Sequence, residues 1–178
     1  MILTIAGSIG SGKSTAAKAL SAASGVRAIG FGDYVRVLAA ERGLQPDRTV
    51  LQDLGQARVE QDARAFLLET LAWGGWTPSD DIILDGLRHI SVLNALRDLR
   101  CEGRATILAY IDVAEPIRRQ RQQARGATDE EIDAASTHPA EQDLILELRS
   151  AADLVLDGDA PVATIVERLL REGLGRTD

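Results

Sequence analysis

A chain of 178 residues with 45% hydrophobic content can bury one sizeable core and is too short for two comfortable ones. Its formal charge of −7 argues against a general nucleic-acid surface, which neutralises phosphates with clustered Lys and Arg. Cys101 is the single cysteine, so there is neither a disulfide framework nor a paired thiolate set for structural zinc.

The chain opens on the apolar, β-branched run Ile2-Leu3-Thr4-Ile5-Ala6, with no basic segment and cleavage site before it. No apolar stretch reaches the length of a membrane span, so a cytoplasmic protein without a membrane partner is expected. Gly7-Ser8-Ile9-Gly10-Ser11-Gly12-Lys13-Ser14-Thr15 follows and fits G-x-x-x-x-G-K-[ST] without substitution. A helix is predicted over Ser14 to Ala23, ended by Gly25, and a short strand over Val26 to Ile29. Asp33 is then expected to cap a helix that carries Arg36 in its next turn and closes at Gly43. Gln45-Pro46-Asp47 reads as a turn, and Arg48 to about Trp73 has helical spacing with Gly55 as its expected break. Trp73 and Trp76 read as core or rim packing residues.

Asp81 to Asp85 looks like a buried parallel strand with an acid at its C-terminal edge, and Gly86-Leu87-Arg88 follow at once. A helix is expected from about Ser91 to Arg100, a fourth strand over Ala105 to Ile111, and a helix from Glu115 to Arg125. Gly126 to Pro139 is polar and irregular, with one helical turn at Asp129 to Ile132, and Glu141 to Ser150 is helical. A fifth strand over Leu154 to Leu156, a turn at Asp157-Gly158-Asp159 and a last helix from Pro161 to about Arg171 complete the chain. Strands alternating with helices imply an α/β fold, a five-stranded parallel sheet with helices on both faces, in one domain spanning residues 1–178.

The glycines of the 7–15 stretch let the backbone turn so that successive N–H groups converge on phosphate oxygens at a helix start, which makes Gly10, Ser11, Gly12, Lys13, Ser14 and Thr15 the candidate ATP cradle. Lys13 would reach the β- and γ-phosphates, and Ser14 would place its hydroxyl on Mg²⁺. Arg36 and Arg88 both fall at C-terminal strand edges, where ligands bind in such sheets. Two guanidiniums there could hold a second anion in bidentate fashion.

These residues resemble adenylate kinase and the wider P-loop nucleoside monophosphate kinases. Gly32-Asp33-Tyr34-Val35-Arg36 is similar to the family's G-D-x-[LV]-R, and Leu84-Asp85-Gly86-Leu87-Arg88 resembles L-D-G-[FY]-P-R shortened by one residue. The resemblance implies that Arg36 and Arg88 grip the acceptor's phosphate near Asp33, and that Asp85 stands near Mg²⁺ through water. Asp112-Val113 with Arg121 and Arg125 resembles D-V…R-x-x-x-R, implying Arg121 stacked on the donor adenine and Arg125 on the moving phosphoryl. Asp157 to Val162 is similar to D-G-T-x-P-V, whose backbone at Gly158 and Pro161 would border the adenine. The implied activity is ATP- and Mg²⁺-dependent phosphoryl transfer to a small-molecule nucleotide acceptor. Residues of about 30–76 would bind the acceptor, and those of about 126–140 would form a lid.

The chain departs from that pattern in having no arginine between Gly126 and Leu148, where the family's lid supplies several; a lone His138 stands there instead. The P-loop also looks like that of dephospho-CoA kinase, which transfers to a hydroxyl, and Asp33 or Asp85 would then be the candidate base. A nucleotide-binding regulatory protein with little turnover is the third reading. The stretch from Pro46 to Trp76 offers the base pocket mostly Gln, Leu, Val and Ala, with no constellation that specifies one base edge.

Overall fold

The computed structural model describes residues 1–99, 105–138, 141 and 147–176. Strands β1 (Ile2–Ala6), β2 (Arg27–Gly30), β3 (Ile82–Leu87), β4 (Thr106–Asp112) and β5 (Leu154–Asp157) form one all-parallel sheet in the order β2-β3-β1-β4-β5. The helices are α1 (Lys13–Ser24), α2 (Phe31–Glu41), α3 (Arg48–Trp73), α4 (Ile90–Asp98), α5 (Glu115–Gln123), α6 (Asp129–Thr137) and α7 (Val162–Arg168), which runs into a wider turn at Leu169–Gly173. No described helix is long and apolar enough to cross a membrane. Of the sequence expectations, Arg100, Cys101, Pro139 and the middle of the helix over Glu141 to Ser150 lie outside the described residues, while residues 147–150 are helical.

The two-residue period of the strands divides the core between the sheet's faces. Ile2, Ala6, Ile82, Leu84, Leu108 and Tyr110 point to one face and pack against α2, α3 and α4. Leu3, Ile5, Ile83, Ala109, Ile111 and Leu156 point to the other, covered by α1 and α7. Because β1 is central and apolar on both sides, it is fully covered, and each of its large side chains contributes roughly 1.5–3 kcal/mol by burial. The loop leaving its C-terminal end is thereby held on a rigid base.

Among the differences from the sequence expectation, three near the site have a local reason. β2 extends to Gly30, which pairs with Asp85, so α2 starts directly at Phe31 and Asp33 lies in its first turn rather than at its cap. α3 bends at Asp62 (φ −165°, ψ 100°) and not at Gly55, because Asp62 Oδ1 accepts the Ala65 N–H at 2.8 Å and so caps the second half of the helix. Arg58 before the bend and Tyr34 of α2 both donate to Glu69 after it, fixing the angle. β3 continues past Asp85 to Leu87, with a bulge at Gly86: Ile5 pairs with Asp85 and Ala6 with Leu87, and Gly86 takes the left-handed conformation (φ +85°). That extra residue returns Leu87 to the core and sends Arg88 into the cleft above the sheet. The stretch after Gly126 is also more regular than its polarity suggests, since Thr128 and Glu131 form a reciprocal capping box that starts α6.

Candidate active site

The loop between β1 and α1 wraps the site's floor. Gly10 has φ +85°, and a Cβ there would meet the Arg118 carbonyl at 2.7 Å, so glycine is required both by the turn and by the close approach of α5. Ser11 N–H donates to the Ser8 carbonyl at 3.0 Å, tightening the loop, and Gly12 occupies the cap position of α1. Ser11 is buried and Thr15 exposed, and both stay outside the cleft lining that takes in Gly10, Lys13 and Ser14. Lys13 is half-buried; its ammonium donates to the Ser8 carbonyl at 3.3 Å. Burial, and then the charge of Arg88, push its pKa down to about 8, while Glu141 and Asp85 pull it the other way.

Asp85 sits where β3 bulges, and its carboxyl is held up from the usual range, first by burial. A hydrogen bond from Ser14 and the charge of Lys13 act against that rise. Its Oδ1 is buried and has no protein partner. A hydroxyl and a carboxylate oxygen aimed at one place suit Mg²⁺, which binds through few protein oxygens and keeps several waters. Among the described residues no cluster of three or more His, Cys, Asp or Glu side chains could hold a metal.

From this floor a cleft of about 550 Å³ extends between α2, α3 and the β3–α4 connection. Asp33 and Arg36 line it from α2, Asp85 and Arg88 from the end of β3, and Arg125 from the end of α5. Arg36 pairs with Asp33 at 2.7 Å, in the open; Arg88 pairs with the Glu141 carboxylate, which is buried. Arg121 lies outside the cleft, donating to the Gly158 carbonyl at 3.0 Å and to Asp159 at 3.4 Å, so it ties α5 to the turn after β5. Gly158 is buried in that turn, and Pro161 is the cap residue of α7. His138 is largely buried, with Nε2 at 3.2 Å from Asp53 of α3.

A protein-family model described as "AAA domain" matches residues 3–147. The chain belongs to that family of P-loop kinases. It is 31% identical to a UPF0200 protein of Pyrobaculum aerophilum, over 74% of this chain and 70% of that one. It is 50% identical to a cytidylate kinase of Methanothrix thermoacetophila, over 39% of this chain and 37% of that one, so the match spans well under half of that enzyme. Shikimate kinase from Acinetobacter baumannii in complex with shikimate shares the fold at 15% identity, with a TM-score of 0.63 over 98% of this chain and 93% of that one. The sheet of this P-loop kinase and the helices on its two faces follow from that fold.

Sequence pattern alone does not single out three further side chains in and around the cleft. Gln52 and Gln56, one turn apart on α3, both line the cleft. Gln56 Nε2 donates to Glu60 at 2.7 Å, which leaves its Oε1 as an acceptor; that atom and Gln52 Nε2 are buried without protein partners. Their i, i+4 spacing signals a shared helix face, but only the bend in α3 decides which way the face turns. Glu141, far from the P-loop in sequence, carries no local signal at all.

Proposed function

We propose that this kinase transfers the γ-phosphoryl group of ATP to a nucleoside monophosphate, with cytidine monophosphate the first acceptor to test. The observation that supports this most directly is that one cleft joins Lys13 to Arg36, Arg88, Gln52 and Gln56. Two guanidiniums beside the phosphate loop suit an acceptor phosphate, and a buried amide donor next to a buried carbonyl acceptor suits a nucleobase edge. Part of the chain's similarity is to a cytidylate kinase, which puts cytosine first among the bases.

In this reading the P-loop amides and Lys13 hold the β- and γ-phosphates, and Arg125 reaches the phosphoryl in transit. Arg121, fixed to Gly158, borders the donor's adenine together with Pro161. Mg²⁺, held by Ser14 and through water by Asp85, would neutralise charge on the donor phosphates. Residues of about 30–76 form the acceptor side and those of about 126–140 the lid. A monophosphate oxygen is already a competent nucleophile, so no general base is required.

Transfer to a hydroxyl is the second reading, favoured by the raised pKa of Asp85, which suits a base beside the transferring group. ADP release measured with ribo- and deoxyribonucleoside monophosphates, dephospho-CoA and plain nucleosides separates the two. Monophosphates should exceed their nucleosides by about tenfold or more in kcat/KM, because only a phosphate offers the charge-assisted contacts for which Arg36 and Arg88 would exchange their carboxylate partners. Equal use of a nucleoside and its monophosphate would refute the proposal, and turnover of dephospho-CoA alone would favour the second reading.

A further inference from the structure

Glu141 is 2% exposed, and its carboxylate is compensated by groups that belong to the phosphate site. The Ile9 N–H of the P-loop donates to Oε2 at 3.1 Å, and the Arg88 guanidinium pairs with Oε1. Lys13 also feels its charge. A buried carboxylate needs such partners. A P-loop amide, a P-loop lysine and a cleft arginine are the set that an oxygen of a phosphate would use.

We propose that Glu141 is a tethered stand-in for a substrate phosphate, occupying the anion position between Ile9 N–H and Arg88 until a phosphate group takes it. A phosphate monoester carries about −1.5 to −2 charges and three acceptor oxygens, so it can satisfy the amide and the guanidinium together and outcompete one carboxylate. A ligand bearing only a carboxylate merely exchanges like for like and gains nothing. Glu141 is thus a specificity-determining residue, selecting phosphorylated ligands by making every ligand displace an anion. Arg88, meanwhile, is never left buried without a partner. The inference rests on Arg88 as the acceptor-side anion group, not on which acceptor the enzyme uses.

The test fills the donor site with ADP and Mg²⁺ and titrates inorganic phosphate by calorimetry into the parent, Glu141→Gln, and the Glu141→Gln/Arg88→Ala double variant. Glu141→Gln keeps the side chain's shape and removes its charge, so phosphate should bind about tenfold tighter or more, and the added Arg88→Ala should abolish the gain. Unchanged or weaker binding in Glu141→Gln would overturn the proposal, as expected if Glu141 stays paired and merely orients Arg88; so would a gain that survives loss of Arg88. A measurement on the parent protein guards against a folding defect in the variants. The ¹³C signal of the Glu141 carboxyl should move towards that of exposed glutamates as phosphate saturates, and a stationary signal refutes displacement. Nucleoside monophosphate turnover without a phosphate gain in Glu141→Gln defeats this inference alone. A gain without such turnover defeats only the proposed acceptor.

Discussion

Because burial lowers the Lys13 pKa to about 8, nucleotide binding should take up a proton. Phosphate oxygens at the ammonium favour its charged form and raise that pKa again on binding. The uptake equals the neutral fraction in the free enzyme: about 0.1 proton at pH 7, about 0.5 at pH 8 and about 0.9 at pH 9. Calorimetric binding of ADP with Mg²⁺, repeated in buffers of different ionisation enthalpy, measures it directly. The same linkage weakens apparent affinity roughly tenfold between pH 7 and pH 9. Lys13→Arg should flatten both curves, since a guanidinium stays charged throughout. Stability is linked to the same group: between about pH 8 and the ordinary lysine value of 10.5 the unfolded chain binds the extra proton, so the ligand-free fold becomes more stable as pH rises through that window. Uptake near zero at pH 9, or uptake that persists in Lys13→Arg, would refute the assignment of the linkage to this lysine.

Two further outcomes are expected. Gln52→Leu and Gln56→Leu should each raise the acceptor KM about tenfold and narrow the preference among bases, leaving ADP affinity in place; steady-state kinetics with each monophosphate shows whether preference survives, which would remove the pair from base reading. Asp62→Ala should lose about 1 kcal/mol of unfolding free energy in urea, because the second half of α3 loses its capping carboxylate, and an unchanged midpoint would mean the bend is held by the Arg58–Glu69–Tyr34 contacts alone.

The sheet and the P-loop were legible because their signals are local: a two-residue apolar period, and glycines at fixed offsets from Lys13. Strand ends were less so. The bulge at Gly86 looks in sequence like a strand's end, and only the pairing of Leu87 with Ala6 across the sheet shows that β3 continues. Asp62 sits in a charged stretch, Glu60-Gln61-Asp62-Ala63-Arg64, where a cap cannot be told from a solvated face. Thr128 and Glu131 had the spacing of a capping box, and the polarity around them hid it. Glu141 was beyond reach of any such reasoning, since its meaning lies in an amide 132 residues away.

Charge balance links these particulars. The cations facing the phosphate positions do not form a bare positive surface, in keeping with a chain of net charge −7. Lys13 lies in the fields of Glu141 and Asp85, Arg36 is paired with Asp33, and Arg88 with Glu141. On the proposed reading, binding a phosphorylated ligand would be an exchange of partners, and the two arginine exchanges would differ in kind. Arg36 and Asp33 have side chains 58% and 63% exposed, so their pair contributes about 0–1 kcal/mol and opens readily to any anion. Arg88 and Glu141 are 26% and 2% exposed, and breaking that pair without a replacement anion would cost about 3–5 kcal/mol. Arg36 can add affinity, but it cannot discriminate strongly. Arg88 would discriminate, because only a ligand able to replace the carboxylate could claim it. With no arginine between Gly126 and Leu148 to supply further charge, that proposed exchange would act beside Lys13 and Arg125 in selecting for phosphate.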